Sequence, residues 1–324
     1  MADALRLGVV MDPIDKIKPW KDSTFAMLLA AAARGWELHY MEMGDLQLLD
    51  GQACARTRPL SVVDDTEQWF SLGEPDHIPL QQLDVILMRK DPPFDVEYVY
   101  ATYVLERAAL AGTLVVNDPR SLRDVNEKAF TAWFADVCPS SMIARDMQAL
   151  KRFAAGFDRA VAKPLDGMGG KSIFVMGRED LNNNVILETL TDHGSRFAMV
   201  QEYLPEIVEE GDTRVLLVDG KAIPYGLARI PAGGEFRGNL AVGGRGVGRP
   251  ITEREARICE RVGPELVRRG ILFAGLDVIG GRLTEVNVTS PTCIRELDEQ
   301  FGLDIAGDLM DAIARYRERG RAPE

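Results

Sequence analysis

Lys163-Pro164-Leu165-Asp166-Gly167-Met168-Gly169-Gly170-Lys171 separates two strand-like runs, residues 159–164 and 172–176. The element after the glycines decides the fold. Glycine lets backbone N–H groups come close to a phosphate, and Lys163 supplies positive charge beside them. A P-loop or a dinucleotide fingerprint needs a helix after the loop, but a strand stands here, and neither GxxxxGK[ST] nor GxGxxG is present. The loop is therefore read as the tip of an antiparallel pair. Antiparallel pairs continue downstream: residues 197–204 form another strand, and 214–218 and 221–228 are joined by Asp219-Gly220, a strong signal for a two-residue turn. The result is an α+β domain.

Residues 252–269 have the period of an amphipathic helix, with Gly263-Pro264 expected to kink it. A last hairpin, 273–279 and 283–288, turns at Gly280-Gly281. Glu285 and Asn287 share one face of its second strand. Together with Asp277 they offer oxygen ligands of the kind that suits Mg2+ rather than zinc, while Leu276, Val278, Val286 and Val288 fill the alternate positions. The partner of Asp277 depends on the turn. A two-residue loop sets it against Thr284, and a three-residue loop, 280–282, sets it against Glu285. The metal reading requires the longer turn, which glycine permits.

Upstream the pattern changes. Residues 7–11, 37–43, 84–88 and 113–116 read as strands, interleaved with a helix capped by Ser23 and another at 96–110. Such alternation gives a parallel sheet covered by helices on both faces. Ligands of these sheets lie beyond the carboxyl ends of the strands, which puts Asp12, Ser23, Arg89 and Lys90 at a crevice. Solvated strand-end charges are the other reading of Arg89 and Lys90. Asn117-Asp118-Pro119 is turn chemistry, so 119–124 is expected to be a hinge, with Ser121 capping a new helix. The chain is thus divided into an N-terminal α/β domain, 1–122, and an α+β domain, 123–324, with subdomains at about 129–201 and 202–324.

Residues 230–250 hold seven glycines, the arginines Arg237, Arg245 and Arg249, and one acid. That composition reads as a mobile loop carrying positive charge, a lid over an anion. Gln201-Glu202-Tyr203-Leu204, at a strand end, can meet an adenine edge through its backbone while Tyr203 and Leu204 wall the ring. The whole chain of 324 residues carries 50 acidic and 38 basic side chains, a net charge of −12, which argues against nucleic acid and anionic membranes as partners. Cys54, Cys138, Cys259 and Cys293 stand apart without a CxxC pair, so they are read as free thiols of a cytoplasmic protein, with Cys293 as packing. His39, His77 and His193 are read as structural or exposed.

Lys128, Lys163, the 166–170 loop, residues 201–204, Asp212 and Asp277…Glu285-x-Asn287, taken in order, resemble the ATP-grasp superfamily. The resemblance is closer still to the bacterial glutathione synthetase family. It rests on Val10-Met11-Asp12-Pro13, the run from Leu38 to Leu46, Met88-Arg89-Lys90-Asp91-Pro92-Pro93-Phe94-Asp95, the segment from Ser121 to Phe134, Arg229-Ile230-Pro231 and the segment from Glu285 to Arg295. That family implies that ATP phosphorylates γ-glutamylcysteine on its cysteinyl carboxylate and that the amine of glycine displaces the phosphate. Carried over, Lys128 and Lys163 would contact ATP, and Gly167, Met168, Gly169 and Gly170 would cover its phosphates. Gln201, Glu202, Tyr203 and Leu204 would hold adenine, and Asp212 the ribose. Asp277, Glu285 and Asn287 would hold Mg2+, with Mn2+ as the alternative ion. Arg214 and Arg229, in strands entering the site, would stabilise the tetrahedral intermediate. Arg237 and Arg245 would close over the acyl-phosphate, and Asp12, Ser23, Arg89, Asn287 and Ser290 would face the substrates. The resemblance also suggests a homotetramer. Another ATP-grasp amino-acid or dipeptide ligase, or a non-catalytic ATP-binding regulator, are the rival readings.

Overall fold

The computed structural model of the protein describes residues 4–231 and 245–318. Arg6–Val10 lies between Glu37–Met41 and Val85–Met88, with Leu114–Val116 beyond, all paired in parallel. The side chains of Arg6–Val10 alternate between two cores. Val10 packs with Ile86, Tyr98 and Leu105 of helix Val96–Leu110, whereas Leu7 and Val9 pack with Met27 and Leu28 of helix Ser23–Ala33. The second core also takes in Ile305, Leu309 and Ile313, so the last helix, Ile305–Glu318, returns to cover the first sheet. The cap of the first helix is Asp22, whose carboxylate accepts from Phe25 N at 2.7 Å, and Ser23 is already inside the helix. An antiparallel extension, Leu46–Leu49, Gln52–Val62, Phe70–Leu72 and Asp76–Pro79, lies outside the sequence expectations. Its longest strand turns Ala53, Ala55 and Thr57 inward, residues too small or polar to register as an apolar period.

The segment expected to be a hinge is a short helix, Pro119–Asp124, capped by Asp118 rather than Ser121. It is anchored. The Asn117 amide donates to Phe273 O and Val288 O at 2.8 and 2.7 Å and accepts from Leu272 N and Phe273 N at 2.9 and 3.0 Å. Ser121 Oγ donates to Arg269 O. Buried backbone groups left without partners cost about 1–3 kcal/mol each, so Asn117 fixes the first sheet to the last one.

Ser141–Ala144, Ala198–Glu202, Arg159–Pro164 and Phe174–Gly177 form a four-stranded antiparallel sheet. Ala160, Ala162 and Val200 face a core with Leu150, Leu187 and Leu190 from its helices, which leaves Val161, Lys163 and Gln201 on the opposite face. The remaining sheet runs Arg245–Pro250, Lys221–Ile230, Asp212–Val218, Phe273–Ile279, Arg282–Asn287, antiparallel throughout. Residues 245–250, expected as loop, are thus an edge strand. Its Gly248 lies under Phe301, whose ring would be 2.4 Å from an added Cβ, so this glycine serves close packing. Arg249 pairs with Glu255 at 2.6 Å instead of guarding a lid.

Helix Glu253–Arg268 begins with a capping box between Thr252 and Glu255 and continues as a single element through Pro264. Here Gly263 meets the turn at Gly220, whose carbonyl oxygen would stand 2.1 Å from any Cβ. The last hairpin resolves the question of register in a way neither expected turn described. Its turn is the short one: Ile279 pairs Arg282 and Val278 pairs Leu283. A bulge then shifts the register, and Asp277 pairs Glu285, with Thr284 as the extra residue. Thr284 is buried and donates to Asp277 O at 3.1 Å.

Candidate active site

A cleft of about 820 Å³ opens between the four-stranded sheet and the last hairpin. Lys128, Lys163, Gly167, Gly169, Gly170, Gln201, Glu202, Tyr203, Leu204 and Asp212 all line it. Val161, Ile173, Ile207 and Ile279 add an apolar wall that the sequence reading missed, although strand alternation from Lys163 points to Val161. Both lysines are buried and approach Glu285 Oε1 at 3.6 Å. Lys128 Nζ also donates to Gly167 O at 2.6 Å, which ties the glycine loop to the sheet. Burial lowers the pKa of Lys163, opposed by the charge of Glu285. Two buried polar atoms in this cleft, Gln201 Nε2 and Asp212 Oδ1, have no hydrogen-bond partner among the described residues. A pocket with apolar walls, two buried cations and unsatisfied polar atoms fits a ligand that is aromatic at one end and anionic at the other.

A second pocket, of about 1490 Å³, is lined by Asp12, Met168, Arg214, Arg229, Asp277, Asn287 and Ser290 among others, and it shares Gly169 and Glu285 with the first. Its floor is a buried ion network. Arg214 binds Asp277 through Nε at 2.5 Å and Nη2 at 3.0 Å, and Arg229 Nη2 reaches Asp212 Oδ2 at 2.5 Å and Asp277 Oδ2 at 2.9 Å. Burial alone would raise the pKa of Asp277, but Arg214 and Arg229 outweigh it and hold the carboxyl below the ordinary range. Asp212, with one oxygen lacking a partner, is pushed upward by burial. The network therefore carries charge from the first pocket to the floor of the second.

The oxygen set suits a hard divalent ion. Glu285 has only long lysine contacts, and the Asn287 amide nitrogen donates to Gly275 O, leaving its oxygen as an acceptor. Asp277 is committed to the arginines and contributes mainly charge. No cluster of three or more His, Cys, Asp or Glu side chains disposed for a metal occurs among the described residues.

Several expected residues lie elsewhere. Ser23 and Arg89 are buried behind the second pocket: Ser23 Oγ accepts from Ile294 N at 3.2 Å, and Arg89 donates to Thr24 Oγ1 and Pro291 O at 3.1 and 2.9 Å. They brace the segment that carries Ser290 rather than line the pocket. Arg245 is exposed at an edge-strand end, outside both linings, and Arg237 falls outside the described residues. Asp12 lines the pocket while paired with Lys90 at 2.9 Å. Cys293 is buried, its thiol pushed up by burial, and it also touches the pocket. Glu127 was not foreseen. It lines the second pocket next to Lys128 in the first, and an acid before a lysine carries no signal of its own.

Residues 5–123 match the model of the prokaryotic glutathione synthetase N-terminal domain, and residues 127–302 match that of the prokaryotic glutathione synthetase ATP-grasp domain. The chain belongs to the prokaryotic glutathione synthetase family. It is 59% identical over 317 residues to the glutathione synthetase of Escherichia coli (strain K12), covering 97% of this chain and 100% of that protein. The glutathione synthetase of Yersinia pestis is 57% identical over 312 residues, 96% of this chain and 98% of its own. Among solved structures, the D-cycloserine synthetase DcsG superposes with a TM-score of 0.67 at 13% identity, over 97% of this chain and 100% of that one. The ATP-grasp ligase PsnB, complexed with minimal precursor, gives 0.63 at 20% identity, over 96% and 99%. At such identities these structures share the fold alone, two α+β sheets enclosing the first pocket behind an α/β domain. The glutathione synthetase family is therefore set by sequence, and the ATP-grasp fold by both comparisons.

Proposed function

We propose that the two pockets together join γ-glutamylcysteine to glycine, with ATP phosphorylating the cysteinyl carboxylate and glycine displacing the phosphate to give glutathione, ADP and phosphate. The chain is an ATP-dependent ligase. The observation that carries this reading is the shared rim: Gly169 and Glu285 line both pockets, so a phosphoryl group leaving the first would arrive at the second. Adenine lies along Gln201, Glu202, Tyr203 and Leu204, the ribose at Asp212, and the phosphates beside Lys128 and Lys163 under the loop of Gly167, Met168, Gly169 and Gly170. Glu285 and Asn287, with the charge of Asp277 behind them, would hold Mg2+ or Mn2+, which would neutralise phosphate charge. Phosphoryl transfer needs positioned charge more than a nucleophilic side chain. Arg214 and Arg229 supply it at the acyl carbon, where the carbonyl oxygen becomes negative during amine attack. Asp12 and Ser290 border the dipeptide.

The functional divisions are an α/β domain at 1–122 and the ATP-grasp domain at 123–324. No helix among the described residues is long and apolar enough to cross a membrane; we place the enzyme in the cytoplasm, as a homotetramer. The test is phosphate release from ATP and Mg2+ with γ-glutamylcysteine and glycine, separately and together, while glutathione is followed by mass. Equal phosphate and glutathione only with both substrates is the expected result. Turnover with a different amine would make the chain another amino-acid ligase, and no turnover with any pair would overturn the ligase reading.

A further inference from the structure

The acids of the second pocket are not equivalent. Asp277 is paired with two arginines, Asp12 with Lys90, and Glu285 with Lys128 and Lys163. Asp22 is committed to its helix cap. Asp91, also without an ion pair among the described residues, is exposed and solvated. Glu127 and Glu296 remain, and neither has a lysine or arginine at ion-pair distance among the described residues. Glu296 lies in helix Ile294–Phe301, on the side of Lys21 and Asp22. Glu127 lies at the other end. Its backbone oxygen accepts from Val286 N, between Glu285 and Asn287, and its Oε1 accepts from Thr289 Oγ1 at 3.1 Å. Glu285 and Arg214 are the charges that act on it there, together with Lys128. It is thus a carboxylate held by a buried threonine, lacking a cation, at the end of the pocket where the rim is shared. A poorly solvated, unpaired carboxylate is stabilised by a cationic guest.

If the two pockets act as the ligase proposed for them, one guest arrives at that end as a cation: the amino acid whose nitrogen attacks. We propose that Glu127 receives the ammonium group of the acceptor amino acid and aims its nitrogen at the acyl carbon, an inference that rests on the ligase reading. The ammonium first gives one proton to a phosphate oxygen of the acyl-phosphate, which frees the nitrogen lone pair; the N–C bond then forms as the C–O bond to phosphate breaks, and that electron pair leaves on phosphate. The nitrogen keeps one of its three protons, and the other two depart with phosphate as dihydrogen phosphate. Glu127 is a recognition group for the acceptor and takes no part in the earlier phosphoryl transfer.

Recognition of the acceptor and phosphoryl transfer separate by choice of nucleophile. Hydroxylamine is largely uncharged at neutral pH and attacks an acyl-phosphate to give a hydroxamate, so it does not need an ammonium receptor. In Glu127→Gln, the KM for glycine should rise about ten- to a hundred-fold, the range of a charge-assisted hydrogen bond. The KM for ATP and the rate of hydroxamate formation from γ-glutamylcysteine should stay within about two-fold. Parallel losses with glycine and hydroxylamine would assign Glu127 to phosphoryl transfer or to the fold and overturn the proposal, as would an unchanged KM for glycine. If Glu127→Gln does not fold, Thr289→Val, which only releases Oε1, should raise the KM for glycine about three-fold with hydroxamate formation constant, and equal effects on both would overturn the idea. A wild-type enzyme that forms neither glutathione nor hydroxamate would instead defeat the ligase reading itself.

Discussion

The two hairpins of the five-stranded sheet start alike and finish differently. Asp219-Gly220 and Gly280-Gly281 are both two-residue turns with positive φ, 51° and 72° in the first and 56° and 72° in the second. In the first, Leu217 pairs Ala222 but Val215 pairs Gly226, a slip that brings Asp212 opposite Arg229 where a regular ladder would have offered Leu227. In the second, the slip between Val278 and Asp277 is a single residue, and it sets Glu285 against Asp277. Turn chemistry fixes where a ladder begins. Bulges decide which charges meet, and here both bulges deliver an acid to the same two arginines or to the shared rim.

Asp277 belongs to both hairpins through Arg214 and Arg229, so Asp277→Asn should break the comparison most severely. Leaving buried guanidinium groups without their main anion should destabilise the protein by about 3–5 kcal/mol, read from urea unfolding, with turnover lost. A stability loss below about 1 kcal/mol would mean that the network is solvated. Asp212→Asn touches only the first hairpin. Arg229 keeps Asp277, so we expect a smaller cost of about 1.5–3 kcal/mol and a raised KM for ATP with the KM for glycine unchanged; equal shifts in both constants would show that the two pockets are not separable. The mildest change, Gly220→Ala, strains a residue at φ 72° and pushes a Cβ to 2.6 Å from Val267 Cγ2. It should lower stability by about 1–2 kcal/mol and leave both KM values alone, because it perturbs a turn and not a register; a changed KM would show that the turn sets the distant bulge after all.

The cleft between the α+β sheets was the more legible half of the site. Glycine, lysine and alternating side chains announce themselves in sequence, and Lys163, the loop and residues 201–204 indeed share one wall. The second pocket was harder to read. Ser23, Arg89 and Asn117 have the composition of strand ends and turns, and strand-end polarity looks the same in sequence whether it meets water, a substrate or another domain. Here all three meet backbone of the C-terminal sheet or the segment after it. Glu127 was invisible for the opposite reason, since its distinction is a missing partner, and only neighbours brought from residues 285–289 show what is missing.

By itself the sequence determined the two kinds of sheet, the places of the turns and the sorting of Leu276, Val278, Val286 and Val288 from Asp277, Glu285 and Asn287, because period, turn propensity and face are local properties of the chain. The tertiary structure alone decided the bulge at Thr284. Leu283 and Thr284 stand against the single step from Val278 to Asp277, the two-against-one count of a bulge. The Thr284 hydroxyl on Asp277 O and the Lys163 contact to Thr284 O hold that extra residue in place. No pattern in residues 273–288 shows the Lys163 contact, which comes from a sheet more than a hundred residues upstream.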